Sequence, residues 1–517
     1  MAKLTDFISH ADAQAHFSKE ALWDLFDGVS ENLNIAHECL DRHPRGRCAV
    51  RIVQFDGPVV SHSFGEISDW SGRFANWLIG RGVAKGDRVA IMLEPSLAFY
   101  AALFGTMKAG AVAVPLFTAF GVDGLTARLK DSEPVLLILA PEKRGLAGTA
   151  GIDTIIADAT MLSGIEVEDA GFKPKTASGD MAMYQYTSGT SREMPEAVKH
   201  RHRAVVTVII AALYATGVRP GDRYMCPSSP AWGHGLWHGT VAPLALGVEI
   251  VSYAGKFDPV RLLDAIEEFE ITNLSAAATH YRMMRISGDD AAARSFRLKK
   301  LSFTGEPLDT DTAEWAKQAF GHPVCSIYGT TEVGVIIASY PGAPDLPIKP
   351  GSLGRPLPGC DVAILDSSGK PCRTDEIGEI MLRRGDDWFP VKDLGRMDED
   401  GYYFHHGRAD DVIISAGWTM SAVEIEDVLL KHRDVEEAAA IGVANEERGQ
   451  VVKVFIVSSR RGDDAFSKEL QNFARDRLSR HEYPRIVDFV DDLPKTPAGK
   501  VNRKLLRDQE QKREAAS

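Results

Sequence analysis

The sequence is poor in cysteine, short of positive charge and without a long unbroken apolar run. Its six cysteines, Cys39, Cys48, Cys226, Cys325, Cys360 and Cys372, are scattered over 517 residues with no CxxC pair. Such spacing argues against a disulfide framework and fits reduced thiols in a cytoplasmic setting. A formal net charge of -13 argues against nucleic acid as the main partner, because a phosphate backbone calls for a basic face. Any polyanion must then be gripped by local positive charge. The longest nearly apolar run, residues 204–218, falls short of the roughly 18 residues a membrane span needs and reads as a buried helix. No integral membrane association is expected. The opening residues, MAKLTDFISHADAQ, show neither an apolar segment nor a cleavage site, so no signal peptide is expected either.

What is present is an ordinary globular composition, 44% hydrophobic and 25% charged, in a chain long enough for several domain-sized units. Two segments echo each other: GVAKGDRVAIMLEPS from Gly82 and GVRPGDRYMCPSSPAW from Gly217. Each follows a helical pattern and leads through a glycine-bearing turn into an apolar run, which predicts helix, turn and buried strand. MKAGAVAVPLF, LALGVEIVSY, EITNLSAAA and LKKLSFTGEPL repeat the theme. The fold class is therefore α/β, with layered βα subdomains and largely parallel sheets. After about Gly351 the pattern changes to short alternating strands joined by SSGK and EDG turns, an antiparallel β-rich part over about 351–409. From Asp411 a compact α+β pattern resumes. We expect a large N-terminal domain over 1–409 and a small mobile C-terminal domain over 410–517, joined at GRADD, residues 407–411. The tail RDQEQKREAAS reads as a solvated helix end or a disordered segment.

Five short stretches carry chemistry when taken together. Thr187, Ser188, Gly189, Thr190 and Ser191 pack hydroxyls around a glycine, as a polyphosphate-gripping turn requires. FTGEPL, Phe303 to Leu308, places a glycine loop after a strand, a usual ligand position in an open α/β sheet. YGTTEVG, Tyr328 to Gly334, sets hydroxyls beside the carboxylate of Glu332, which could hold Mg²⁺ against a phosphate. Asp393 and Arg408 flank a hairpin, and PKTPAGKVNRK presents Lys500 after a Pro and Gly turn.

In this order the stretches resemble the superfamily of adenylate-forming enzymes, which contains acyl-CoA synthetases, aryl-CoA ligases, luciferases and peptide-synthetase adenylation domains. The resemblance runs from NIAHECLDRH at residue 34 to Lys500 and is strongest to the acyl-CoA and aryl-CoA ligases. It implies a two-step reaction in which a carboxylate and ATP give acyl-AMP and pyrophosphate, and coenzyme A then displaces AMP. ATP, Mg²⁺ and coenzyme A are the implied cofactor and co-substrates, and a small carboxylic acid is the implied partner. By the same resemblance, residues 187–191 form the first half of a phosphate loop, and Gly305, Glu306 and Pro307 line the adenine pocket. Tyr328 stacks on adenine, flanked by Gly329 and Thr330. Thr331 meets the α-phosphate and Glu332 binds the metal. Asp393 binds the ribose hydroxyls and Arg408 the ribose and phosphate region. Lys500 contacts the α-phosphate and carboxylate oxygens during adenylation, Asp410 is the hinge, and Gly417 and Trp418 lie on the CoA side.

The phosphate loop departs from the family pattern. It continues REMPEAV, one residue longer than usual, without its glycines and with Glu196 where lysine is expected. Arg192, whose guanidinium presents a fork of donors, is the candidate substitute for that charge, with Lys199, Arg201 and Arg203 as further cations. PAWGHGLWHG, Pro230 to Gly239, falls where related ligases line the substrate pocket, and Trp232 and His234 are its candidates. His234 and His238 have the spacing of a helical zinc pair, but Gly233, Gly235 and Gly239 speak against a stable helix there. Two alternatives stay open: transfer of the acyl group to a carrier protein or another nucleophile, and a nucleotide-binding pseudoenzyme with an impaired loop. Neither the acid, whether aromatic or aliphatic, nor the oligomeric state is legible, and a homodimer is one option left open.

Overall fold

The structure is a computed structural model, and it describes residues 2–149, 151–186, 196–288, 291–330, 333–408, 412–415, 418–445, 449–477, 483–495 and 501–516. The described residues up to Cys360 form one compact unit and those from Asp361 form a second.

In the N-terminal unit a six-stranded sheet runs in the spatial order Asp153–Ile156, Leu136–Leu139, Arg88–Met92, Val112–Pro115, Met181–Gln185, Val198–Arg201. All its pairings are parallel except the last, an antiparallel hairpin. Leu136–Leu139 and Val112–Pro115 are buried along their whole length, as expected for strands covered on both faces. Helix Phe64–Gly80 begins where Ser63 accepts a hydrogen bond from the Glu66 amide, and it buries Ile67, Phe74 and Leu78.

The second sheet of this unit is parallel through Cys325–Thr330, Lys300–Thr304, Asn273–Ala277, Tyr224–Met225, Ile250–Ala254 and Cys48–Gln54. Antiparallel strands Gly334–Ala338 and Val60–Ser63 flank that run. Its core gathers Leu262, Ile266, Leu274, Tyr281 and Leu301. The expected apolar helix is found at Ala204–Tyr214.

The C-terminal unit opens with an antiparallel meander, Val362–Leu365, Gly378–Arg384, Asp387–Met397 and Tyr403–Arg408. Its turns are the ones the sequence marks. Asp398 accepts from the amides of Asp400 and Tyr402, and Gly401 takes φ 78°, a left-handed conformation that favours glycine. A five-stranded sheet follows in the order Trp418–Ser421, Val412–Ser415, Gly449–Ser458, Val435–Asn445, with Ile486–Phe489 beside Gly449–Ser458. Alternate residues of Val435–Asn445 serve two cores: Ala438 and Ala440 pack with Ile425 and Phe466, whereas Ala439 and Ile441 pack with Leu493 and Leu506. The C-terminal tail is helical over Arg503–Ala516, anchored by buried Leu506 and by Glu510, which pairs with Lys453 at 2.5 Å.

The N-terminal unit encloses a set of neutral imidazoles, His202 buried and His43, His200, His238 and His280 partly so. Burial pushes His43, His200, His202, His238 and His280 down to about 4 from 6.5. In the unfolded chain these groups take up protons below about 6.5, whereas the folded chain refuses them until about pH 4. The folded state therefore keeps its full stability above 6.5 and loses it as pH falls toward 4, by up to about 3 kcal/mol for buried His202 and by less for the four that keep some contact with solvent. We expect the unfolding temperature, followed by calorimetry, to be level above pH 7 and to drop steeply between about pH 6.5 and 4. A level profile across that interval would show that these imidazoles take up protons as readily in the folded chain as in the unfolded one.

Candidate active site

Three parallel strands bring two of the sequence motifs to one edge. Ala277 lies beside Thr304, and Phe303 lies beside Ser326. Continued by two residues, the second register sets Gly305 level with Tyr328. The loop Gly305, Glu306, Pro307 and the strand end Tyr328, Gly329, Thr330 thus leave adjacent strands at the same height, at the carboxyl edge where open α/β sheets bind ligands. Gly305 has φ 98°, which other residues rarely adopt. A methyl group there would also meet the Trp232 ring 3.2 Å away. The indole of Trp232 therefore lies against the candidate adenine loop, joining two stretches more than seventy residues apart. Gly329 is equally constrained: at the register shift between Tyr328 and Gly329, an added Cβ would lie 1.9 Å from the Gly334 carbonyl oxygen.

Glu306 is turned toward the neighbouring helix Ala278–Ile286, where its Oε1 accepts from Thr279 Oγ1 at 2.6 Å and from Arg282 at 3.2 Å. Arg282 also reaches Asp309 at 3.4 Å, and Asp309 caps helix Thr310–Phe320 through the Thr312 amide. These contacts hold the loop from beneath.

The stretch around His234 differs from the sequence expectation. Despite its glycines, His234–Val241 is helical, in the wide π form, and Ala242–Ala245 continues it. The glycines serve close packing: a Cβ on Gly235 would lie 2.2 Å from the Ser229 carbonyl oxygen, and one on Gly239 would lie 2.8 Å from Cys226 Sγ. Tertiary contact outweighs low helix propensity here. His234 is 4% exposed and engages both ring nitrogens, Nδ1 with Ser228 Oγ at 3.0 Å and Nε2 with Ser275 Oγ at 2.8 Å. Ser302 Oγ donates onward to Ser275 at 2.9 Å. Burial, followed by the nearby His238 and His280, holds the His234 imidazole neutral. With both nitrogens committed, His234 is a strut of the site, and it keeps Trp232 at a ring separation of 5.5 Å. The serines were not picked out from sequence. Their signal was there: Ser275 and Ser302 are polar residues in otherwise apolar runs and are direct register partners.

In the C-terminal unit Asp393 and Arg408 occupy facing positions of one antiparallel ladder, and Asp393 is 5% exposed. Among the further cations, Lys199 lies over the Tyr184 ring at 5.1 Å and Arg201 donates to the Gly179 carbonyl. Thr187, Ser188, Gly189, Thr190, Ser191, Arg192, Thr331, Glu332, Asp410, Gly417 and Lys500 lie outside the described residues. Trp418 starts a strand.

Comparison with known proteins now fits this frame. The AMP-binding enzyme family matches residues 37–386, and the C-terminal domain of AMP-binding enzymes matches residues 424–500. The chain belongs to the AMP-binding enzyme family. It is 29% identical to the acetyl-coenzyme A synthetase of Bacillus subtilis (strain 168), over 96% of this chain and 94% of that one. Among solved structures it resembles an acyl-CoA synthetase of Brucella canis, with 30% identity, a TM-score of 0.76 and coverage of 98% and 100%. ATP-bound MatB from Rhodopseudomonas palustris superposes with a TM-score of 0.79 at 25% identity, covering 92% of this chain and 98% of that one.

The contact between Trp232 and Gly305 gives a direct test of the site. Gly305→Ala should cost about 1–3 kcal/mol, because it forces a side chain into a left-handed conformation and against an indole. We expect a lowered unfolding temperature and a raised KM for ATP in the same variant. An unchanged KM would detach this loop from nucleotide binding.

Proposed function

We propose that this chain, an AMP-forming acid-CoA ligase of the AMP-binding enzyme family, carries out its two half-reactions with the residues its motifs single out. The observation that carries the reading is the meeting of Trp232 with Gly305 at the carboxyl edge, beside the strand that bears Tyr328. Gly305, Glu306, Pro307 and Tyr328 to Thr330 hold the adenine. Asp393 and Arg408 hold the ribose and phosphate region, and the hydroxyls of residues 187–191 with Arg192 hold the leaving pyrophosphate. Trp232 closes the acid pocket, with His234 as its support.

Attack of a carboxylate on the α-phosphate builds negative charge on non-bridging and leaving oxygens, and positioned donors lower that barrier most when they are fixed in advance. Thr331 and Lys500 fill this role in the reading. A magnesium ion, when bound, would neutralise phosphate charge, and Glu332 would hold it. One carboxylate with phosphate co-ligands suits magnesium. Among the described residues no group of three or more His, Cys, Asp or Glu is arranged to hold a metal. Thioester formation needs a clear path for the thiol, so the residues from Asp410, including Gly417, Trp418 and Lys500, swivel about Asp410 between steps. We read the protein as cytoplasmic. All six cysteines are free, and among the described residues no helix is long and apolar enough to cross a membrane.

Lys500 separates the two steps. Its cation counters charge that forms only as pyrophosphate leaves, so Lys500→Ala should slow adenylation by about a hundredfold or more. Transfer from supplied acyl-AMP to coenzyme A should be largely spared. Equal loss in both half-reactions, timed separately, would remove Lys500 from the first step.

A further inference from the structure

The connection that carries the hydroxyl-rich residues 187–191 leaves the strand Met181–Gln185 and returns into Val198–Arg201. These strands form an antiparallel hairpin whose last rung is Gln185 with Val198. The next rung would be Tyr186 with Ala197. Instead, one oxygen from a different element takes both. Asp131, on helix Val122–Ser132, accepts through Oδ2 from the Tyr186 hydroxyl at 2.7 Å and from the Ala197 amide at 3.0 Å. The Tyr186 hydroxyl also lies 2.8 Å from the Arg128 carbonyl oxygen, and the Arg128 guanidinium sits 5.5 Å from the Tyr186 ring centroid and 3.8 Å from that of Phe120. Tyr186 and Ala197 are buried, whereas Asp131 lies at the surface with this oxygen turned inward.

We propose that Asp131 is a positioning residue for the phosphate loop, tying both of its ends to a single carboxylate oxygen and so setting the span across which the loop meets the polyphosphate. The inference rests on the reading of residues 187–192 as pyrophosphate ligands. Its physical basis is the entropy of loop closure: a connection whose ends are fixed loses less freedom when it orders around a ligand than one whose ends fray. In this chain the second half of the loop, REMPEAV, lacks the glycines and lysine of the family pattern, which leaves a larger share of its grip to how its ends are held. The Asp131 carboxylate is engaged with Tyr186 and Ala197. Its effect on nucleotide passes through Tyr186 and Ala197.

The test compares Asp131→Ala, Asp131→Asn and Tyr186→Phe in the full chain, measuring MgATP affinity by calorimetry and transfer from supplied acyl-AMP to coenzyme A. Asp131→Ala should weaken MgATP about tenfold, the worth of one hydrogen bond to a charged group, while the transfer step stays near the wild-type rate. Asp131→Asn keeps an acceptor oxygen and should recover most of the loss. Tyr186→Phe keeps the buried ring and removes one tie, so it should fall between, and it carries the test should Asp131→Ala not fold. Wild-type MgATP affinity in Asp131→Ala or in Tyr186→Phe overturns the inference, as does equal loss in MgATP binding and transfer. A wild-type protein that binds MgATP but forms no acyl-CoA would sink the proposed function, and the ratio of MgATP affinities would still decide the role of Asp131.

Discussion

The candidate site hangs on one buried imidazole. His234 sits between Ser228 and Ser275 with a partner on each ring nitrogen, and Ser275 is joined across the sheet to Ser302. A charged imidazole would be costly in this interior, and a neutral one lacking Ser275 would lose its Nε2 partner, whereas Nδ1 also lies 3.8 Å from Cys226 Sγ. The arrangement is therefore satisfied in one geometry, and that geometry fixes the helix His234–Val241 over the parallel strands. Trp232, at its entrance, lies with its ring beside Gly305.

The same economy recurs at the other motifs, where a neighbouring side chain or a close backbone approach fixes a candidate segment. Arg282 and Thr279 hold Glu306. Gly329 lets the strand end at Tyr328 pass close to Gly334. The register of the C-terminal meander sets Asp393 opposite Arg408. The candidate ligand-binding stretches in this chain are short and glycine-bearing, and the sheets beneath them set their positions.

Much of the frame was legible in sequence because its signals are local. Glycine turns before apolar runs gave the strands Arg88–Met92 and Tyr224–Met225, and the EDG turn gave the hairpin closed by Asp398. The motif order pointed to the family. What escaped was set by contacts distant in sequence. Glycine content argued against a helix at His234, yet those glycines permit the approach of Ser228, Ser229 and Cys226, whose packing stabilises it. Asp131 looks like one more surface acid until the hairpin brings Tyr186 and Ala197 to it from 55 and 66 residues away. The tail, read as a solvated helix end or a disordered segment, is part of the helix Arg503–Ala516, and what the sequence did not show is its anchor, buried Leu506 with the Lys453 and Glu510 pair.

The central claim is that this chain forms an acyl adenylate despite its altered phosphate loop. Exchange of labelled pyrophosphate into ATP, measured without coenzyme A against a panel of aromatic and aliphatic acids, tests it most directly. The account predicts exchange that depends on at least one acid and proceeds in the absence of the thiol. No exchange with any acid, in protein shown to bind MgATP, would contradict it and leave a nucleotide-binding protein without adenylation.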